Sequence, residues 1–177
     1  MLVQEAAEKL RAGGVVVHAT EGVWGFACDP HNLTALQRIL KIKEREANKG
    51  FILIAAGAGD FNLQLSAVAH NLEVKASWPG AHTWVLPNQG KYNDFVTGGR
   101  DTVACRVPGH QQSRMLCEAF GGVLVSTSAN LSGQAALMSY EDALNQFGQV
   151  VDQVLPGTVG ELGRASTIHG LNGEILR

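Results

Sequence analysis

Short apolar runs cut off by glycine and proline constrain this chain more than any other feature. Val15-Val16-Val17 follows Gly13-Gly14, residues 51–54 follow Gly50, residues 83–86 stop at Pro87, and residues 102–107 stop at Pro108-Gly109. Val123-Leu124-Val125 makes a fifth run. Each is too short for a stable helix and rich in β-branched or aromatic residues, so each reads as a buried strand. Amphipathic stretches lie between them. Residues 4–12 place Ala6, Ala7 and Leu10 on one side, and residues 33–43, capped by Asn32, place Leu33, Leu36, Ile39 and Leu40 at helical spacing. Further helices are expected over 67–77, over 111–120 with Met115, Leu116 and Phe120 inward, and over 140–147. His18 to Gly22 reads as a polar turn and 23–26 as extended. Residues 87–101 read as a long glycine-bearing loop, a candidate lid or binding segment. Residues 150–155, 166–169 and 174–176 read as further extended pieces. Strands alternate with helices, yet some strand-to-strand links are too short for a helical crossover. The expected fold is therefore α/β, a twisted open mixed sheet with helices on both faces.

At 177 residues and 45% hydrophobic content, the chain is expected to form one globular domain over 1–177. A net charge of −2 argues against a globally basic coat for nucleic acid and leaves room for a local basic cleft. Cys28, Cys105 and Cys117 are scattered, with no Cys-x-x-Cys, so neither a zinc site nor a disulfide framework is expected and a reducing, cytoplasmic compartment fits. No apolar run is long enough to span a membrane, and the acidic residues near Met1 exclude a signal-peptide reading of the start.

The familiar nucleotide and hydrolase signatures are absent: no G-x-x-x-x-G-K-[ST], no G-x-G-x-x-G after a strand, no G-x-S-x-G. Cys105 and Cys117 fall inside a strand and a helix and read as buried structural thiols, and the six histidines form no ligand spacing, so no protein-held metal is expected. What stands out is residues 123–133, where an apolar strand turns into Ser126-Thr127-Ser128-Ala129-Asn130-Leu131-Ser132-Gly133. Small hydroxyls and amides after a strand let an anion approach the backbone, although an ordinary Ser/Asn turn has the same composition. Thr20, after the first strand, repeats the arrangement. Lys43 and Arg45 at a helix exit, with Lys49 close behind, read either as a solvated charged loop or as cations converging on one anion. Arg106 interrupts an apolar strand and requires a counter-charge, from a salt bridge or from a ligand. Two hydroxyl-bearing loops and two cationic segments define a cleft for an anionic ligand, with a nucleoside triphosphate the natural candidate and phosphoryl or nucleotidyl transfer the fitting chemistry.

These residues resemble the YrdC family of threonylcarbamoyl-AMP synthases from about Gly14 to Arg177. The segments that carry the resemblance are Ala19-Thr20-Glu21 with Gly25-Phe26-Ala27-Cys28-Asp29, Lys43-x-Arg45, Trp78-Pro79-Gly80, Arg106-Val107-Pro108, the 126–133 run and Ser166-Thr167-Ile168. The resemblance implies a short, single-domain form with a positively charged central cleft. It implies synthesis of L-threonylcarbamoyladenylate and pyrophosphate from ATP, L-threonine and bicarbonate, for threonylcarbamoyladenosine in tRNA. Magnesium is expected with the ATP, and tRNA and tRNA-modification proteins as partners. It implies Lys43 and Arg45 as catalytic residues at the phosphates. Lys49, Thr102, Ser126, Ser128, Asn130 and Arg177 join them on the nucleotide, and Thr20, Arg106 and Ser166 hold threonine or its carbamate. Several positions depart from the family pattern: His18-Ala19 for Tyr-Pro, Gly22 for Thr or Ala, Trp24 for Tyr or Phe, Glu46, Ala81 and Ala165 for proline. Trp24 and Glu46 bear on the shape of the amino-acid site. Two alternatives stand beside this reading. One is a non-catalytic RNA- or nucleotide-binding module using the same basic cleft; the other is a related chemistry that starts from carbamoyl phosphate.

Overall fold

The computed structural model describes residues 1–65 and 71–177. Among the described residues eight strands form one sheet: β1 (Val16–Ala19), β2 (Trp24–Cys28), β3 (Ile52–Ile54), β4 (His82–Pro87), β5 (Thr102–Arg106), β6 (Leu124–Ser128), β7 (Gln153–Val154) and β8 (Thr167–His169). Their order across the sheet is β7-β1-β2-β6-β3-β5-β4-β8. The pairs β1–β7, β3–β5 and β4–β8 are parallel and the other neighbours antiparallel, so the sheet is mixed as expected.

Alternation along the strands sorts the two faces. Val17, Trp24, Phe26, Leu53 and Val125 face one core, closed by α2 (Leu33–Lys43) and α6 (Tyr140–Phe147). Val16, Ala27, Ile54 and Leu124 face the other, covered by Ala6 and Leu10 of α1 (Leu2–Arg11) and Leu116 and Cys117 of α5 (Gln111–Phe120). Helices α1 and α5 cover only part of that second face, and the remainder is the cleft described below.

The helix signals are local and hold. Asn32 caps α2 by accepting from Ala35 N at 3.0 Å, and Ser139 caps α6 in the same way from Asp142 N. Of the helix expected over 67–77, α3 (Asn71–Ser77) is present and 67–70 lie outside the described residues. Other expectations need correction. His18 and Ala19 belong to β1 rather than to a turn, because His18 pairs with Gly25 in the ladder. Ser126 to Ser128 continue β6 rather than form a loop, paired to Ala27, Phe26 and Gly25. Leu33 and Met115 do not enter the core; they are 49% and 45% exposed on the outer sides of their helices. The strand over 150–155 shrinks to Gln153–Val154.

The 87–101 segment is no lid. The Asn88 side chain bonds both Tyr92 N and Tyr92 O at 2.9 Å, and Asn93 caps the short helix α4 (Asp94–Thr97). Tyr92 and Val96 are buried, and Val96 O accepts from Phe51 N at 2.8 Å. The segment is thus a packed buttress that holds the start of β3 in place.

Candidate active site: an anion-receiving cleft on the open half of the sheet

The uncovered part of the second sheet face forms a cleft. Gly25 of β2, Ile52 and Ile54 of β3, Ala104 of β5, and Ser126 and Ser128 of β6 make its floor. Small residues at 25, 104, 126 and 128 keep this floor low, so a ligand can lie directly on the sheet. Four cations line the walls: Arg45, Lys49, Arg106 and Arg177. Thr20 and Ser166 complete the end near Arg106. Eight of the eleven residues expected at a site therefore share one cleft, and no Asp or Glu is among the described lining residues.

Each end has its own chemistry. The Thr20 hydroxyl donates its only proton to Val23 O at 2.8 Å, so its lone pairs remain as acceptors suited to an amine. Ser166 Oγ lies 2.7 Å from Thr83 Oγ1, which fixes the hydroxyl against the sheet edge. Arg106 has found a counter-charge: its Nη2 donates to Glu21 Oε2 at 2.5 Å, while its buried Nε has no hydrogen-bond partner among the described residues. Burial lowers the Arg106 pKa and Glu21 raises it again. At the other end Arg45 Nη2 donates to Gly50 O at 3.0 Å. Burial, and then the nearby charge of Arg177, lower the Arg45 pKa. Guanidiniums remain charged at any working pH, so two of them on one cleft favour an anionic ligand.

Three expected residues lie off the cleft wall. Thr102 begins β5 on the same face as Ala104 and Arg106, two residues beyond the floor. Lys43 is only 2% exposed, not part of a solvated loop. Its ammonium sits behind Ser128 and donates to Ser128 O, to Asn130 O at 3.0 Å and to Asn130 Oδ1 at 3.0 Å, 5.5 Å above the Phe26 ring. Burial, and to a lesser extent Arg45, pull its pKa from 10.5 to about 7. Asn130 likewise faces this cluster, accepting from Ser128 Oγ at 2.7 Å and donating to Gln134 O at 2.6 Å. Lys43, Ser128 and Asn130 thus form one unit that sets the shape of the β6 exit, with Ser128 as its cleft-facing member.

Sequence reasoning passed over Glu21, read as part of a turn. Its signal was an acid beside Thr20 and a lone arginine in an apolar strand with a charge to balance. His18, read as part of the same turn, belongs to the buried interior. His18 is fully buried, with Nδ1 3.0 Å from Ala19 O, and burial pulls its pKa down to about 4. Gly22 acquires a reason: a Cβ there would lie 1.8 Å from Arg164 O, so glycine lets the 160–165 segment press against the Thr20 turn.

The structure is that of an α/β protein with a cation-lined cleft on the open half of a mixed sheet. The family model described as telomere recombination, Sua5/YciO/YrdC, matches residues 8–177. The chain belongs to the Sua5/YciO/YrdC family. It is 44% identical over 178 residues to the threonylcarbamoyl-AMP synthase of Halorhodospira halophila, covering 99% of this chain and 93% of that protein. It is 41% identical to the threonylcarbamoyl-AMP synthase of Vibrio vulnificus, covering 98% and 96%. Among solved structures it resembles P. abyssi Sua5 complexed with L-threonine, with a TM-score of 0.91 and 29% identity, covering 99% of this chain and 53% of that longer one. It also resembles E. coli YciO, with a TM-score of 0.85 and 25% identity, covering 99% and 88%.

Proposed function

We propose that this chain is a threonylcarbamoyl-AMP synthase, a nucleotidyltransferase that makes L-threonylcarbamoyladenylate and pyrophosphate from ATP, L-threonine and bicarbonate for tRNA modification. The observation that carries the reading is the single cleft with phosphate-suited cations at one end and Thr20, Arg106 and Ser166 at the other. The full-length similarity to proteins named for this activity supports it.

The chemistry runs in two steps. The amine of threonine adds to bicarbonate, water leaves, and a carbamate remains. A carbamate oxygen then attacks the α-phosphorus of ATP, the bond to the β-phosphate bridge breaks, and pyrophosphate leaves. No side chain becomes covalently attached, so catalysis consists of alignment and charge stabilisation. Arg106 takes the threonine carboxylate, with Thr20 and Ser166 beside the amine and side chain. Arg45, Lys49 and Arg177 meet the phosphates, with Ser126 and Ser128 beneath the nucleotide. Lys43 and Asn130 hold the β6 exit, and Lys43 supplies positive charge from behind it; Thr102 borders the nucleotide end. Magnesium belongs with the ATP phosphates, as part of the substrate.

The test is pyrophosphate release from ATP and bicarbonate, with and without L-threonine, and with L-serine as control. Threonine-dependent release that Arg45→Ala abolishes in a folded protein supports the reading; release independent of threonine refutes it. The non-catalytic RNA- or nucleotide-binding module is not favoured, since relatives matched over nearly the whole chain carry the synthase name. No described helix is long and apolar enough to cross a membrane. A cytoplasmic location is the one that fits a role in tRNA modification.

A further inference from the structure

We propose that Glu21 is a positioning residue that fixes the Arg106 guanidinium for the amino-acid substrate, an inference that rests on the reading of this cleft given above. Both of its carboxylate oxygens are committed, to different elements. Oε2 accepts from Arg106 Nη2 at 2.5 Å and Oε1 accepts from Gly109 N at 2.6 Å, just past the end of β5. The pair is largely desolvated, with the Arg106 and Glu21 side chains 8% and 15% exposed. The backbone around Glu21 is pinned as well: Gly160 N donates to Thr20 O at 2.9 Å and Leu162 N to Glu21 O at 3.1 Å. A Cβ at Gly160 would stand 2.7 Å from Glu21 O, so this approach admits only glycine without a shift.

Two roles are open to a carboxylate on a substrate-binding arginine. It orients the guanidinium, or it occupies the place of the substrate carboxylate and must be expelled. The geometry favours orientation. A competitor that leaves on binding would be held by the arginine alone. Glu21 has a second anchor at Gly109 N that a ligand does not replace, and its backbone is held by the 160–162 segment. The Arg106 Nε keeps an unused donor while Nη2 is held, so the fork retains capacity for a second carboxylate. Glu21 acts through Arg106 and touches no reacting atom.

The substitution that isolates the role is Glu21→Gln. Its oxygen can still accept from Gly109 N, but its amide then turns a donor toward the Arg106 donor. Glu21→Asp keeps the charge and loses the reach to both anchors, which preserves a foldable variant if the glutamine one collapses. Steady-state kinetics are measured against L-threonine and against ATP, with circular dichroism verifying the fold. Loss of a charge-assisted contact corresponds to about 10- to 100-fold. The KM for L-threonine is expected to rise by about that factor in Glu21→Gln and by less in Glu21→Asp, with the KM for ATP within about twofold of wild type. A fall in the threonine KM would show a competitor instead and overturn the proposal. Equal rises in both KM values, or wild-type threonine KM values in both variants, would also overturn it. Absence of threonine-dependent turnover in the wild-type protein would refute the parent reading rather than this one.

Discussion

Replacing Lys43 with methionine is expected to make the protein more stable and inactive. The methionine stem fills the same space against Phe26 and carries no charge. Of the three carbonyl oxygens that the ammonium contacts, Ser128 O keeps a bond from Asn130 N at 3.1 Å and Asn130 Oδ1 keeps Ser128 Oγ at 2.7 Å. Asn130 O alone loses its donor, which costs about 1–3 kcal/mol. Against this stands the burial of the ammonium. A displacement of its pKa from 10.5 to about 7 corresponds to about 5 kcal/mol at pH values below both. The sign follows from linkage. Between pH 7 and 10.5 the unfolded chain binds the proton that the native state has lost, so wild-type stability rises with pH through that window and carries the full penalty below it. Lys43→Met should therefore exceed wild type by about 2–4 kcal/mol at pH 6, and the gain should vanish near pH 9. Urea unfolding at both pH values reads this directly, with pyrophosphate release measured on the same samples. A variant less stable than wild type at pH 6 would refute the reasoning, since the carbonyl bonds would then outweigh the desolvation.

His18→Phe should flatten the acid limb of stability. The buried imidazole, with its pKa lowered from 6.5 to about 4, makes the wild type lose about 3 kcal/mol as pH falls through that interval, and the phenyl ring has no proton to bind. Equal acid sensitivity of the two proteins in urea titrations would refute it. Gly22→Ala drives a Cβ into Arg164 O at 1.8 Å and should cost about 1–3 kcal/mol. Because Ser166 lies two residues beyond, the threonine KM should rise while the ATP KM holds, and an unchanged midpoint and KM would count against the close packing. Phe147→Ala removes a ring that is 2% exposed and meets Phe26 edge-on at 4.8 Å. It should cost about 3–5 kcal/mol in denaturant unfolding, and a loss under 1 kcal/mol would mean that this contact does not carry the α6 side of the core.

The helices were readable because their signals are local: Asn32 and its apolar periodicity place α2 with no knowledge of the sheet. The clearest misreadings were at the cleft, where residues answer to distant partners. Ser126 and Ser128 look like a turn since a strand face that floors a binding site is polar instead of apolar. Lys43 stays open between a solvated loop and a cation site because its three acceptors lie on β6 and its exit, far along the chain. His18 looks like a turn residue until Ser113 of α5 is seen near Nδ1 and bonded to Ala19 O. Arg106 is the instructive middle case. Its need for a counter-charge was plain from pattern alone, whereas the identity of Glu21 required the register of two strands and the turn beyond one of them.

The place of β6 in the sheet has a kinetic consequence. It joins β7-β1-β2 on one side to β3-β5-β4-β8 on the other, so no strand of one half pairs with a strand of the other except through it. Thr20 and Gly25 come with the first half, Ile52, Arg106 and Ser166 with the second, and Ser126 and Ser128 with the seam. The nascent chain therefore reaches residue 128 before any version of the cleft exists, and the seam closes by long-range pairing of the slow kind. A ligand lying across that seam binds only the joined state, and by mass action holds the two halves together. Nucleotide and amino acid should thus act as folding ligands, slowing the opening of β6 more than that of the outer strands in hydrogen exchange.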